Sequence, residues 1–269
     1  MGNLIVVKYG GSVFKPADSI SLEDCYRAVA DQLDMIARDH EHVVAVVSAA
    51  NGHSDRLIDG VAAIEGIDRS VLQSALLGID FGDMYDRPDI ARALLQGELD
   101  SVDALVTASD GRFHQLTQLD SHFPIEGNSS YLRANVHFDQ SRELASRYTL
   151  QQGVTVVSGY AARDPHGDVA LLGRNASDYV AALIAGLYGG ELCFAKDVPG
   201  IYSGFGTPQQ RLLASPTRAE LDALGEQKVL DRRAYHTFRG PIRVMRFGDA
   251  EVGTIVPAEP VQGQYLHVA

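Results

Sequence analysis

The sequence predicts an α/β chain in which buried parallel strands alternate with helices. Three observations carry this. Leu4–Val7, Val43–Val47 and Leu192–Ala195 are apolar without alternation, the pattern of strands covered on both faces. Helix-period stretches lie between them: Tyr26, Val29, Ala30, Leu33 and Ala37 share one face of Ser21–Arg38. Small polar and glycine-rich turns then follow the strands' carboxyl ends, where open α/β sheets bind ligands.

In chain order, Leu4–Val7 delivers Lys8-Tyr9-Gly10-Gly11-Ser12. A glycine pair there lets backbone approach a ligand and can present amides to a phosphate, and a lysine at the end of a buried strand has little structural purpose. Val43–Val47 exits through Ser48-Ala49-Ala50-Asn51-Gly52-His53-Ser54-Asp55, with Ser54 expected to cap the next helix. Residues 60–110 read as mostly helical and include Gly97-Glu98-Leu99; taken alone, Glu98 reads as a surface charge. Residues 111–138 are irregular, with a short hairpin expected between Leu116–Asp120 and Tyr131–Phe138, and His114, His122 and His137 lack metal-ligand spacing. A helix over Asp139–Gln152 and a strand over Val154–Ser158 follow, then a hairpin turn at Asp164-Pro165-His166-Gly167.

The stretch Asp168–Tyr202 organises the rest. An apolar run ends at Leu172, Gly173–Asp178 supplies turn and N-cap residues, and Val180, Leu183, Ile184 and Leu187 form one helical face. Gly189-Gly190 ends that helix, and the strand Leu192–Ala195 leads to Lys196-Asp197 and the Pro199-Gly200 turn. Free amides at a helix N-terminus beside Arg174 suit an anion. Ile242–Met245 and Gly253–Val256 are expected to complete the sheet.

Composition sets the outer bounds. A chain of 269 residues, 45% hydrophobic, can bury one large core or two modest lobes. The net charge of −12 argues against nucleic acid as a partner and opposes long-range attraction of a polyanion, so a nucleotide site must be locally basic and Mg²⁺-assisted. The apolar runs are strand-length and Met1–Leu4 has no basic leader, so neither a membrane span nor export is expected. Cys25 and Cys193 fall inside a helix and a strand, which fits buried thiols in a reducing cytoplasm.

LLGRNASDYVAALIA followed by KDVPGIYS resembles the LGRGGSDxxAxxxA…TDVxGVY signature of aspartokinases, in the amino acid kinase superfamily. KYGGS, VVSAANGHSDRL, GEL at 97–99 and GEQKVLDRRA at 225–234 follow in that family's order, so the likeness spans Val6 to about Val256. It implies a three-layer αβα sandwich with a mainly parallel central sheet, residues 1–152 forming an amino-acid-binding and dimerising lobe and residues 153–269 a nucleotide lobe. The implied activity is ATP-dependent, Mg²⁺-assisted phosphorylation of L-aspartate to 4-phospho-L-aspartate by a cytoplasmic homodimer.

The resemblance also implies roles. Lys8 and Lys228 contact the transferring phosphoryl group and Asp178 orients them. Arg174 holds the substrate carboxylate, Glu98 its ammonium, and Ser48 and Ser54 line the same site. Gly10, Gly11, Ser12, Lys196, Asp197 and Tyr202 border the nucleotide with Lys228, and no protein metal-ligand set is expected. The chain departs from the pattern in three places: Asn175-Ala176 stand for Gly-Gly, Asp231-Arg232 for His-Pro, and Ser203-Gly204-Phe205-Gly206-Thr207-Pro208 for T-x-DPR, whose arginine helps hold the nucleotide. Two alternatives stay open, a relative acting on another small acid and a non-catalytic nucleotide or anion binder. Retention of Lys8, Arg174, Asp178 and Lys228 together speaks against the second. The tail Pro257–Ala269 is too short for an ACT domain, so no built-in inhibition by lysine or threonine is expected.

Overall fold

A computed structural model describes residues 3–17, 19–79, 86–225, 229–249 and 251–259. Its centre is β1 (Leu4–Tyr9), flanked in parallel by β2 (His42–Val47) and β7 (Glu191–Lys196). Beyond β2 lie β4 (Gly153–Ser158) and β3 (His114–Leu116). Beyond β7 lie β10 (Ile242–Arg246) and the antiparallel edge strand β11 (Thr254–Val256). The sheet therefore grows outward from β1 in both directions, which makes the carboxyl end of β1 a topological switch point.

Alternation along the strands divides the interior. Leu4 and Val6 pack on one face with Val44 and Val46, against α6 (Ser177–Tyr188); Ile5, Val7 and Tyr9 pack on the other with Val43 and Ala45, against α1 (Leu22–Ile36). Both faces are covered, as the unbroken apolar runs require, giving the expected three-layer αβα arrangement. α6 is buried nearly all round and ends at Gly189 with φ 70°. α2 (His53–Glu65), α3 (Arg69–Leu77) and α4 (Pro88–Ala108) supply the helical middle, and α4 is long enough to pack on both cores. β5 (Ala161–Arg163) and β6 (Val169–Leu171) form the expected hairpin around Asp164–Gly167. Cys25 and Cys193 are buried free thiols, and among the described residues no helix is long and apolar enough to cross a membrane.

Three local expectations fail. Gly52, with φ 73°, starts α2 at His53, so Ser54 sits inside the first turn rather than capping it. The Leu116–Asp120 segment does not pair with Tyr131–Phe138. β3 joins the sheet beside β4, while Tyr131 and Ala134 exchange backbone bonds with Leu171, because β6 offers a free edge nearer in space. The helix after Phe138, α5 (Phe138–Arg147), ends early: Tyr148 is extended and stacks on His122 as the chain straightens toward β4.

Candidate active site

The carboxyl ends of β1, β2, β4 and β7 open on one cleft of about 1150 Å³. Strand alternation decides what enters it. Lys8 follows Leu4 and Val6 on the face toward α6, and Lys196 follows Leu192 and Phe194 on that same face. Both meet Asp178 in the first turn of α6. Lys8 Nζ lies 2.9 Å from Oδ1, and Lys196 Nζ lies 2.9 Å from each carboxylate oxygen. The backbone N–H of Asp231, which caps α8 (Arg232–Thr237), donates to Oδ2 at 3.2 Å. Burial alone would raise the Asp178 carboxyl; Lys196 and Lys8 outweigh it and hold the group ionised, well below the usual carboxylate range. Burial pulls the Lys196 ammonium from 10.5 down to about 8, against the upward pull of Asp178.

Gly10, Gly11 and Ser12 form the floor beneath these lysines. A side chain at Gly11 would place its first carbon 2.5 Å from the Ala49 carbonyl, so only glycine lets this turn lie on the loop leaving β2. That loop brings Ser48 and Ser54 into the same cleft. Gly97 does the same for α4: an added Cβ would stand 2.8 Å from Ala49 Cβ, and its absence seats Glu98 against the loop. Glu98 is buried, its Oε2 has no hydrogen-bond partner among the described residues, and desolvation raises its pKa from 4.5 to about 8. The lone surface glutamate suggested by sequence statistics is therefore a buried carboxyl with backbone hydrogen bonds at Ala49 and Glu98 and one unpartnered oxygen.

Arg174 stands across the cleft in a turn that its neighbours hold open. Its N–H donates to Leu76 O at 3.1 Å and its carbonyl accepts from Arg233 Nη2 at 3.0 Å. Asn175 has φ 62°, the left-handed conformation the signature's glycine would take, and asparagine tolerates it best among side-chain residues. Ala176, with φ −71°, needs no glycine. Both Arg174 Nη atoms reach Asp55 Oδ1 at 3.3 Å, so the guanidinium fork is aimed and engaged by a single carboxylate oxygen.

The cleft thus gathers Lys8, Gly10, Gly11, Ser12, Ser48, Ser54, Glu98, Arg174, Asp178, Lys196 and Asp197. Tyr202 is not on its wall; it packs at 5.9 Å against Phe205, which is. Lys228 lies outside the described residues. The site residues expected from sequence did not include Tyr160, a cleft-lining residue with φ 75° near Glu98 and Arg174, or Asp231, whose N–H steadies Asp178. A non-glycine residue in a left-handed conformation leaves no sequence mark, whereas Asp before Arg-Arg is a readable N-cap. Among the described residues no group of three or more His, Cys, Asp or Glu side chains could hold a metal ion, and Asp178 is committed to its lysines.

Comparison with known proteins is consistent with this geometry. The model of the amino acid kinase family matches residues 3–245. The aspartokinase of Helicobacter pylori strain 26695 is 24% identical over 265 residues, covering 95% of this chain and 60% of the relative. That of Pseudomonas aeruginosa is 28% identical over 264 residues, covering 94% and 58%. The chain thus spans about 60% of the length of such relatives. Among solved structures, E. coli aspartokinase III in complex with aspartate and ADP superposes with a TM-score of 0.72 at 22% identity, over 97% of this chain and 66% of that one. Carbamate kinase from Giardia lamblia bound to AMP-PNP gives 0.59 at 12% identity, over 96% and 99%. At these identities the two structures speak for the fold.

Proposed function

Since the chain belongs to the amino acid kinase family, we propose that it transfers the γ-phosphoryl group of ATP to the side-chain carboxylate of L-aspartate, yielding 4-phospho-L-aspartate and ADP. The observation that carries this is the unpartnered, buried Glu98 Oε2 in the same cleft as the Lys8–Asp178 pair. A buried acceptor without a donor is unfavourable unless a ligand supplies one. An α-ammonium does so, and the cationic end of the cleft receives phosphate.

In this reading residues 1–152 bind the amino acid and residues 153–269 the nucleotide. Arg174 takes the α-carboxylate in its fork, exchanging Asp55 for it, while Ser48 and Ser54 line the acceptor. The free carboxylate oxygen attacks Pγ in line as the bond to the β-phosphate oxygen breaks. No base is required, because the acceptor is already ionised at neutral pH. Catalysis is positioning and charge neutralisation. Asp178 aims Lys8, Lys228 is the second ammonium, and Gly10-Gly11-Ser12 with Asp197 border the phosphates. ATP enters with its Mg²⁺, which neutralises phosphate charge as part of the substrate. The same reading has the enzyme act in the cytoplasm, in amino-acid biosynthesis, as a homodimer.

ADP release measured over a panel of amino acids tests the proposal. Aspartate should turn over, glutamate far less, and succinate poorly because it leaves Glu98 unpaired. Equal rates for succinate and aspartate would remove Glu98 from the site. A second reading, another small acid as acceptor, draws on Arg133, a cleft-lining guanidinium beside Gly173 with no ion pair to a described residue. An acceptor bearing a further anionic group would engage it, and would appear in the same panel as the best substrate.

A further inference from the structure

The strand face that carries Lys8 carries a second ammonium at a place where the aspartokinase signature has threonine. We propose that Lys196 is a catalytic residue: its ammonium, held on Asp178 beside Lys8, contacts the γ-phosphoryl oxygens of ATP through the transfer. This rests on the kinase reading above and moves Lys196 from the border of the nucleotide to the reacting atoms.

Charge balance is the first support. One carboxylate serves two buried lysines, 6% and 8% exposed, and both nitrogens lie 2.9 Å from the same Oδ1, so they are no farther apart than twice that distance. Asp178 is the one carboxylate hydrogen-bonded to both ammonium groups; of the other cleft carboxyls, Asp197 acts on Lys196 only through space and Glu98 is held toward its neutral form by burial. Two ammonium groups that share one bonded carboxylate keep donors free for a further anion. Location is the second support. A Cβ at Gly10 would stand 3.5 Å from Lys8 Nζ and 4.0 Å from Lys196 Cδ, so both lysines overhang the glycine turn that a phosphate would approach. The third is rigidity: Lys196 is bonded to both Asp178 oxygens and its ammonium lies 5.4 Å from the Phe194 ring centroid. Such a donor needs no reorganisation during reaction. Finally, the segment that gained Lys196 lost the arginine of T-x-DPR to Ser203–Pro208, so a cation missing from the loop is present on the strand.

The step conserves all atoms. The acceptor carboxylate oxygen bonds to Pγ, the bond from Pγ to the bridging oxygen breaks, and its electron pair leaves with ADP. The three peripheral oxygens keep Lys8 and Lys196 as partners, and no proton passes to or from Lys196.

The test uses the intact chain with Lys196→Thr, the signature's own residue. Calorimetry with Mg²⁺ compares AMP-PNP and ADP, and steady-state kinetics follow aspartate. The variant should lose the wild-type preference for AMP-PNP over ADP, and kcat should fall by about 10² to 10³ with KM for aspartate unchanged. Asp178 keeps Lys8 and the Asp231 N–H, so the fold is expected to hold. If Lys196→Thr does not fold, Lys196→Met keeps the stem against Phe194 and is read by the same criteria. A kcat within twofold of wild type and an intact preference for AMP-PNP overturn the inference while leaving the kinase reading in place. A wild-type chain that neither binds AMP-PNP nor phosphorylates any acid in the panel overturns both.

Discussion

Glu98 shows at the residue scale how placement changes chemistry. Its carboxyl, raised to about 8, is mostly protonated near neutral pH, yet an ammonium ligand favours its ionised form. Aspartate binding should therefore release a proton, and KM for aspartate should fall as pH rises toward about 8, then level off. Kinetics across pH, with calorimetry in buffers of different ionisation enthalpy, check this; Glu98→Gln should raise KM and abolish the pH dependence. Stability follows the same sign. The folded-state value lies above the unfolded 4.5, so this contribution is full below 4.5 and lost as pH rises through about 8. Glu98→Gln should flatten that part of the Tm–pH curve. Lys8→Ala removes a partner expected mainly in the transition state, so kcat should drop by about 10² to 10³ with ATP affinity little changed. Near-normal turnover would take Lys8 out of the chemistry.

At the scale of elements, the turn from β6 into α6 decides whether Arg174 and Asp178 face the same cleft. Gly173 and Asn175 both have positive φ, 81° and 62°, and Arg233 ties the turn to α8 through Arg174 O, the Leu172 carbonyl and Asp231. Asn175→Gly should leave the melting temperature nearly unchanged. Asn175→Val should cost about 1–2 kcal/mol, the penalty for a left-handed L-residue, and raise KM for aspartate by displacing Arg174. Thermal unfolding of the two variants side by side checks it. A tolerant valine would mean the turn is not constrained by Asn175.

For the whole molecule, the governing facts are the switch point at β1 and the charge. The sheet delivers cations to one cleft of a chain whose net charge is −12. Long-range repulsion of ATP is screened over about 10 Å at 0.1 M salt, whereas the buried lysines are screened far less. kcat/KM for ATP should accordingly rise as ionic strength increases from about 0.01 to 0.1 M. Stopped-flow nucleotide binding over that range measures it; a steady fall would place exposed basic groups at the entrance.

Burial pattern was legible in the chain because it is written locally. Unbroken apolar runs marked β1, β2 and β7, the 3.6-residue period marked α1 and α6, and Lys8 stood out as a charge at the end of a strand with no exposed face. The motif order carried the family and hence the three-layer fold. Periodicity says which face a side chain takes but not which distant residue waits there. The sharing of Asp178 by Lys8 and Lys196, the Asp231 amide on that carboxylate and the seating of Glu98 on Ala49 through Gly97 all join residues far apart in sequence. Such contacts are set only when the strands align in register and the helices settle on them, since the energy of a buried charge depends on every partner around it.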